Sequence, residues 1–155
     1  MAQALNRTKI AGLVLSAAGL IGIVSQEGYT DHAVIPVPGD VPTIGFGTTE
    51  GVKLGDKTTP QKALARALSD VSKYEGAVKQ CVKAPLYQYE YDAYISLSYN
   101  IGTSAFCGSQ LVKELNAEHY AEACKQILRW DKFKGETLKG LTIRREKEYR
   151  TCLGQ

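Results

Sequence analysis

Between Ile10 and Ser25 the chain runs sixteen uncharged residues in a row, IAGLVLSAAGLIGIVS, and Arg7 and Lys9 stand just ahead of them. That charge order suits an export signal whose N-terminus stays inside. As one helix the run would be roughly 24 Å long at about 1.5 Å per residue, against a hydrocarbon core of roughly 30 Å. It is also weakly apolar, because Ala11, Gly12, Ser16, Ala17, Ala18, Gly19 and Gly22 fill nearly half of it. A cleaved signal peptide, a permanent anchor and a buried helix of the folded domain are the three readings. The apolar core before Ser16-Ala17-Ala18, an A-x-A-like site, is only Ile10 to Leu15, short for a cleaved peptide. The composition argues against a permanent anchor, and the length suits a buried helix. We expect one segment, residues 1–26, with two jobs: a provisional anchor first, and part of the released protein afterwards.

The pattern then changes twice. Residues 28–49 are rich in Gly, Pro, Thr and Val, which predicts β-structure and turns, with Gly39-Asp40 as a turn and Thr43 to Thr48 as a short strand. Thr59 and Pro60 predict a helix start. Apolar residues at Ala63, Leu64, Ala67, Leu68, Val71 and Val78 continue it at helical spacing over about twenty residues. From Pro85 onward the pattern is helical: Tyr87 to Tyr99, Leu111 to Leu115, Tyr120 to Trp130 and Leu141 to Leu153. The expected fold class is α+β, mainly α: a small β-hairpin lobe over about 27–58, a linking helix over about 59–80, and an all-helical lobe over about 81–155. Trp130 reads as core of that last lobe.

At 155 residues the chain can bury a real core. Its net charge of +3 is too weak and scattered to argue for nucleic acid, though it suits an anionic surface such as a cell wall or lipid headgroups. Cys81, Cys107, Cys124 and Cys152 form no CxxC pair and lie near neither His32 nor His119, which argues against zinc. Their even count and wide spacing suggest two disulfides and an oxidising compartment. Four cysteines allow three pairings. Cys81 precedes the helix near Pro85 and Cys107 begins another, whereas Cys124 and Cys152 lie in the last two long helices. Helix order therefore favours Cys81 with Cys107 and Cys124 with Cys152. Each pair would close a loop of about 25–30 residues, worth roughly 3–4 kcal/mol.

The chemistry concentrates in EGYTDHAVIPVPGDVPTIGFGTT. An acid after an apolar helix, then a Gly-rich hairpin with a second acid and a threonine, suits glycosidic cleavage. One carboxyl must deliver a proton to the leaving oxygen, and a carboxylate or hydroxyl must handle water on the other face of the sugar. Glu27 fits the acid; Asp31, Asp40 and Thr43 are candidates for the other role. Read blandly, Glu27 is a solvated boundary, Asp40 a turn residue and Thr43 a strand residue.

Glu27-Gly28, followed by Pro42-Thr43-Ile44-Gly45-Phe46-Gly47-Thr48, resembles the catalytic hairpin of the phage-type lysozymes, glycoside hydrolase family 24. The similarity continues through Pro85-Leu86, Asp92-Ala93, Ser96, Asn100-Ile101-Gly102, Ala105-Phe106-Cys107, Ser109, Leu115-Asn116, Arg129-Trp130, Gly140-Leu141 and Arg144-Arg145. With its N-terminal segment the whole resembles a signal-anchor-release endolysin. That resemblance implies a lysozyme-like fold and an enzyme that cleaves between N-acetylmuramic acid and N-acetylglucosamine in peptidoglycan, with an inverting outcome.

The family's Glu-x8-Asp-x5-Thr pattern places Glu27 and Thr43 directly. Its middle position falls on Pro36 counted forward or Val37 counted back, so the hairpin is one residue longer here. Asp40 is the nearest acid and takes the role provisionally; Asp31 is the runner-up, and Thr43 acting alone is a third possibility. Tyr99, Asn100 and Arg129 are the expected substrate-binding residues. No metal or organic cofactor is expected. The expected partners are peptidoglycan, the inner membrane before release and the host secretion machinery, with no nucleic acid and a monomeric protein. The protein would be tethered on the periplasmic side and then soluble in the periplasm. A lytic transglycosylase on the same bond, or a non-catalytic wall-binding or membrane-active lysis protein, are the alternatives.

Overall fold

The computed structural model describes residues 6–155, so residues 1–5 of the expected 1–26 segment lie outside it. The chain forms two compact units. One is Leu20–Lys73; the other joins the chain up to Gly19 with Tyr74–Gln155.

In the second unit the expected apolar helix is broken into pieces. Thr8 pairs through both backbone groups with Leu86 at 2.8 Å, and Ile10–Gly12 makes one 3₁₀ turn. Ile10 and Leu13 are buried. A helix, α1, starts only at Ala17 and runs to Glu27. The start is fixed by Ser16, whose hydroxyl accepts the Gly19 N–H at 3.0 Å as an N-cap and itself donates to Asp92. Glycine at position 19 leaves room for close packing: a Cβ there would stand 2.7 Å from Leu15 Cδ1 and 3.0 Å from the Asp92 carboxyl carbon. Among the described residues no helix is long and apolar enough to cross a membrane.

The same unit holds α3 (Gln88–Ile101), α4 (Thr103–Cys107), α5 (Gln110–Asn116), α6 (Tyr120–Gln126) and α7 (Lys139–Cys152). Tyr91, Tyr94, Ile95 and Leu97 of α3 are fully buried, and α7 and α4 pack against this helix. Disulfides join Cys81 to Cys107 and Cys124 to Cys152, the pairing that helix order favoured. Their placement differs from expectation: Cys81 and Cys107 are the last residues of their helices, not the first. The unit is also not all-helical. A two-stranded hairpin, β3 (Lys132–Phe133) with β4 (Glu136–Thr137), turns at Lys134 and Gly135, both with positive φ. Paired positive φ is the twist that tight hairpins need, and Lys-Gly is not among its usual sequence signals.

The Leu20–Lys73 unit carries β1 (Thr30–Val34) antiparallel to β2 (Thr43–Gly45) over a small core of Ala33, Ile44 and Val52. The helix α2 runs continuously from Pro60 to Cys81. Its first turn forms as predicted, with the Lys62 N–H reaching the Thr59 hydroxyl at 3.3 Å. Ala63, Ala67, Val71 and Val78 are buried, but Leu64 and Leu68 are exposed, so the buried face is narrower than the apolar pattern suggested.

Candidate active site

Glu27 is the last residue of α1, and Gly28 ends the helix with φ +71°, a left-handed conformation that glycine adopts without strain. The Glu27 side chain is half-buried. The chain then enters the hairpin, where Thr30 faces Gly45 and Val34 faces Thr43.

The expected strand from Thr43 to Thr48 stops at Gly45, where φ is +65° and the chain folds back. Ile44 and Thr48 exchange both backbone hydrogen bonds, at 2.9 and 3.0 Å, closing a tight loop. At its tip Gly47 lies flat against Glu27. A Cβ on Gly47 would stand 3.2 Å from Glu27 Oε2 and 3.6 Å from its Cβ and Cγ, so a bare α-carbon makes the close approach possible. Tyr29 and Phe46 add a tilted ring contact at 5.3 Å between the bend after Glu27 and this loop.

Thr43 and Asp40 both bond the backbone of Val41. The Thr43 hydroxyl donates to the Val41 carbonyl at 3.3 Å, and the Asp40 carboxylate accepts the Val41 N–H at 2.8 Å. Asp40 is also the turn residue the sequence suggested, its own N–H donating to the Val37 carbonyl at 3.0 Å. Asp31 points to other company. Its carboxylate bonds His32 Nδ1 at 2.6 Å, and that bond holds its pKa below the ordinary carboxylate value.

Two contacts with α2 that the sequence did not reveal complete the loop. Thr48 is 2% exposed, and its hydroxyl donates to Asp70 Oδ2 on α2 at 2.7 Å. Gly45 sits so close to Ala63 that a Cβ would meet the Ala63 Cβ at 2.8 Å. The available signal was an acid at position 70 directly beside the buried Val71 on a helix read for its apolar face.

The phage lysozyme family model matches residues 24–148 of the chain. A SAR-endolysin of Pseudomonas phage phiKMV is 36% identical over 141 residues, covering 88% of this chain and 87% of that protein. The chain belongs to the phage lysozyme family. It is a glycosidase of the lysozyme, or muramidase, class. Among solved structures, an endolysin from Escherichia coli O157:H7 phage FAHEc1 shares 35% identity at a TM-score of 0.82, over 92% of this chain and 94% of that one. The muramidase domain of SpmX from Asticaccaulis excentricus shares 31% identity at 0.84, over 91% and 98%.

For a phage lysozyme the other expected substrate residues all lie in the unit containing α3. Tyr99 is half-buried with its ring 4.9 Å from that of Tyr74, and Asn100 next to it is exposed. Arg129 is exposed and donates to Gln126 Oε1 at 3.1 Å. It borders an open pocket of about 300 Å³ lined with Ser109, Gln110, Leu111, Gln126 and Trp130. Trp130 is half-buried in that wall, which corrects its assignment to the core: the 3₁₀ turn Ile127–Arg129 buries Ile127 and leaves the indole at the rim.

Proposed function

We propose that this phage lysozyme is an endolysin that hydrolyses the bond between N-acetylmuramic acid and N-acetylglucosamine in peptidoglycan. Glu27 donates a proton to the glycosidic oxygen as the bond to the anomeric carbon breaks. Water attacks that carbon from the opposite face and gives its proton to Asp40, while Thr43 orients it. The products are a sugar with an inverted reducing end and a free hydroxyl. The observation that carries this reading is the Gly47 loop lying against the Glu27 side chain on the hairpin that also carries Asp40 and Thr43. Asp40 is favoured over Asp31 because its carboxylate and the Thr43 hydroxyl both bond the backbone of Val41, whereas Asp31 is engaged by His32.

The same reading includes export in a tethered, inactive form on the periplasmic side of the host inner membrane, using the host secretion machinery, and activation by release into the periplasm as a monomer. A segment crossing the bilayer as a helix cannot also make the Thr8–Leu86 pairing or cap α1 through Ser16 and Asp92. The SAR-endolysin name carried by the phiKMV relative agrees with it. Turbidity loss of outer-membrane-permeabilised cells tests the catalytic core of the proposal. Wild type should clear the suspension and Glu27→Gln should not; equal clearing overturns the mechanism.

A further inference from the structure

The Ile44–Thr48 loop is pinned to α2 at two points, Gly45 and Thr48, and Gly47, which falls between them in sequence, lies against Glu27. At one end Gly45 packs on Ala63 with no room for a side chain. At the other, the buried Thr48 hydroxyl bonds Asp70 at 2.7 Å. The backbone exchange between Ile44 and Thr48 makes the loop a closed ring of residues, so its tip cannot shift without opening one of these contacts. That tip is Gly47, whose α-carbon faces the Glu27 carboxylate oxygen. Buried Thr48 needs a partner for its hydroxyl, because an unsatisfied buried donor is costly. Asp70 supplies it from a helix, an element stiff enough to fix a position.

We propose that Asp70 is a positioning residue for catalysis, acting through Thr48 to hold the Gly47 wall against which the Glu27 carboxyl is aimed. The inference rests on Glu27 being the proton donor. Asp70 touches neither Gly47 nor substrate in this scheme. Its carboxylate fixes Thr48, Thr48 fixes the loop, and the loop limits the positions open to the acid. Displacement of a reacting group by about 1 Å can cost on the order of a hundredfold in rate. A loosened loop therefore acts on turnover more than on glycan binding.

The test compares Thr48→Val, Thr48→Ser, Asp70→Ala and the double variant Thr48→Val/Asp70→Ala in the full chain, on purified peptidoglycan at a temperature where each is folded by circular dichroism. Thr48→Val and Asp70→Ala should each lower kcat about tenfold or more with KM little changed, and shift the alkaline limb of the pH profile that reports the acid. Thr48→Ser should restore both readouts. The double variant should be no worse than either single one, because both remove the same bond. A folded Thr48→Val or Asp70→Ala with wild-type kcat and an unmoved alkaline limb overturns the proposal, even if its Tm is lower. If Thr48→Val does not fold, Asp70→Ala decides by the same two readouts. Should Glu27→Gln prove active, the proton-donor reading fails. An inactive Glu27→Gln beside a fully active Asp70→Ala defeats this inference alone.

Discussion

At Glu27 the chain places a carboxyl on the last turn of a helix and stops that helix with a glycine, so that the next few residues can fold back past it. Two members of the proposed site, Glu27 and Thr43, stand out in the sequence because their spacing and flanking glycines resemble a known hairpin. The third was ambiguous because the longer turn places Pro36 and Val37 where an acid was expected. The hydrogen bonds of Asp40 and Asp31 support our choice of Asp40. Asp40→Asn should reduce activity on purified peptidoglycan by about a hundredfold, the usual worth of a general base. Asp31→Asn should stay near wild type. Initial rates at equal enzyme concentration check both; full activity in Asp40→Asn would remove it from the mechanism. Asp70 was not legible, because its bond to Thr48 links positions 22 apart that only the folded loop brings together.

Helices were easier to read than strands. The spacing from Ala63 to Val78 predicted α2, and the Tyr87 to Tyr99 pattern predicted α3 to within two residues of each end. The β3–β4 hairpin escaped, since two-residue strands carry no alternation to detect and a Lys-Gly turn is an unusual signal for it. The Arg144-Arg145 pair was noticed only as part of a resemblance. In α7 its physical role is visible: Glu148 accepts from Ser96 at 2.7 Å and pairs with Arg145 at 2.8 Å and Arg144 at 3.4 Å, with all three charged side chains buried. Taking the acid from between two buried guanidinium groups should cost about 3–5 kcal/mol. Glu148→Gln should therefore lower the denaturant midpoint sharply, and a midpoint within error of wild type would show that the cluster contributes little to folding.

Across the whole molecule, the N-terminal segment is the part that composition alone left between three readings. Arg7, expected only as a charge ahead of an apolar run, pairs with Glu90 at 2.7 Å and stacks over the Tyr120 ring at 3.4 Å and the Tyr87 ring at 4.4 Å. The Leu15 N–H meets Glu75 at 2.6 Å, and Lys79 reaches the Leu13 carbonyl. These contacts tie the segment's start into the folded unit, so a charge-assisted bond worth about 2 kcal/mol should appear in its stability. Arg7→Ala should lower the Tm of the purified protein by several degrees, read by differential scanning calorimetry, and an unchanged Tm would mean the contact adds nothing. The central claim concerns the chemistry at Glu27, and the most direct measurement of it is mass spectrometry of the fragments released from purified peptidoglycan. Wild type should release muropeptides ending in reducing N-acetylmuramic acid, and Glu27→Gln should release none. Anhydro-ended products from wild type, or undiminished release by Glu27→Gln, would contradict the account.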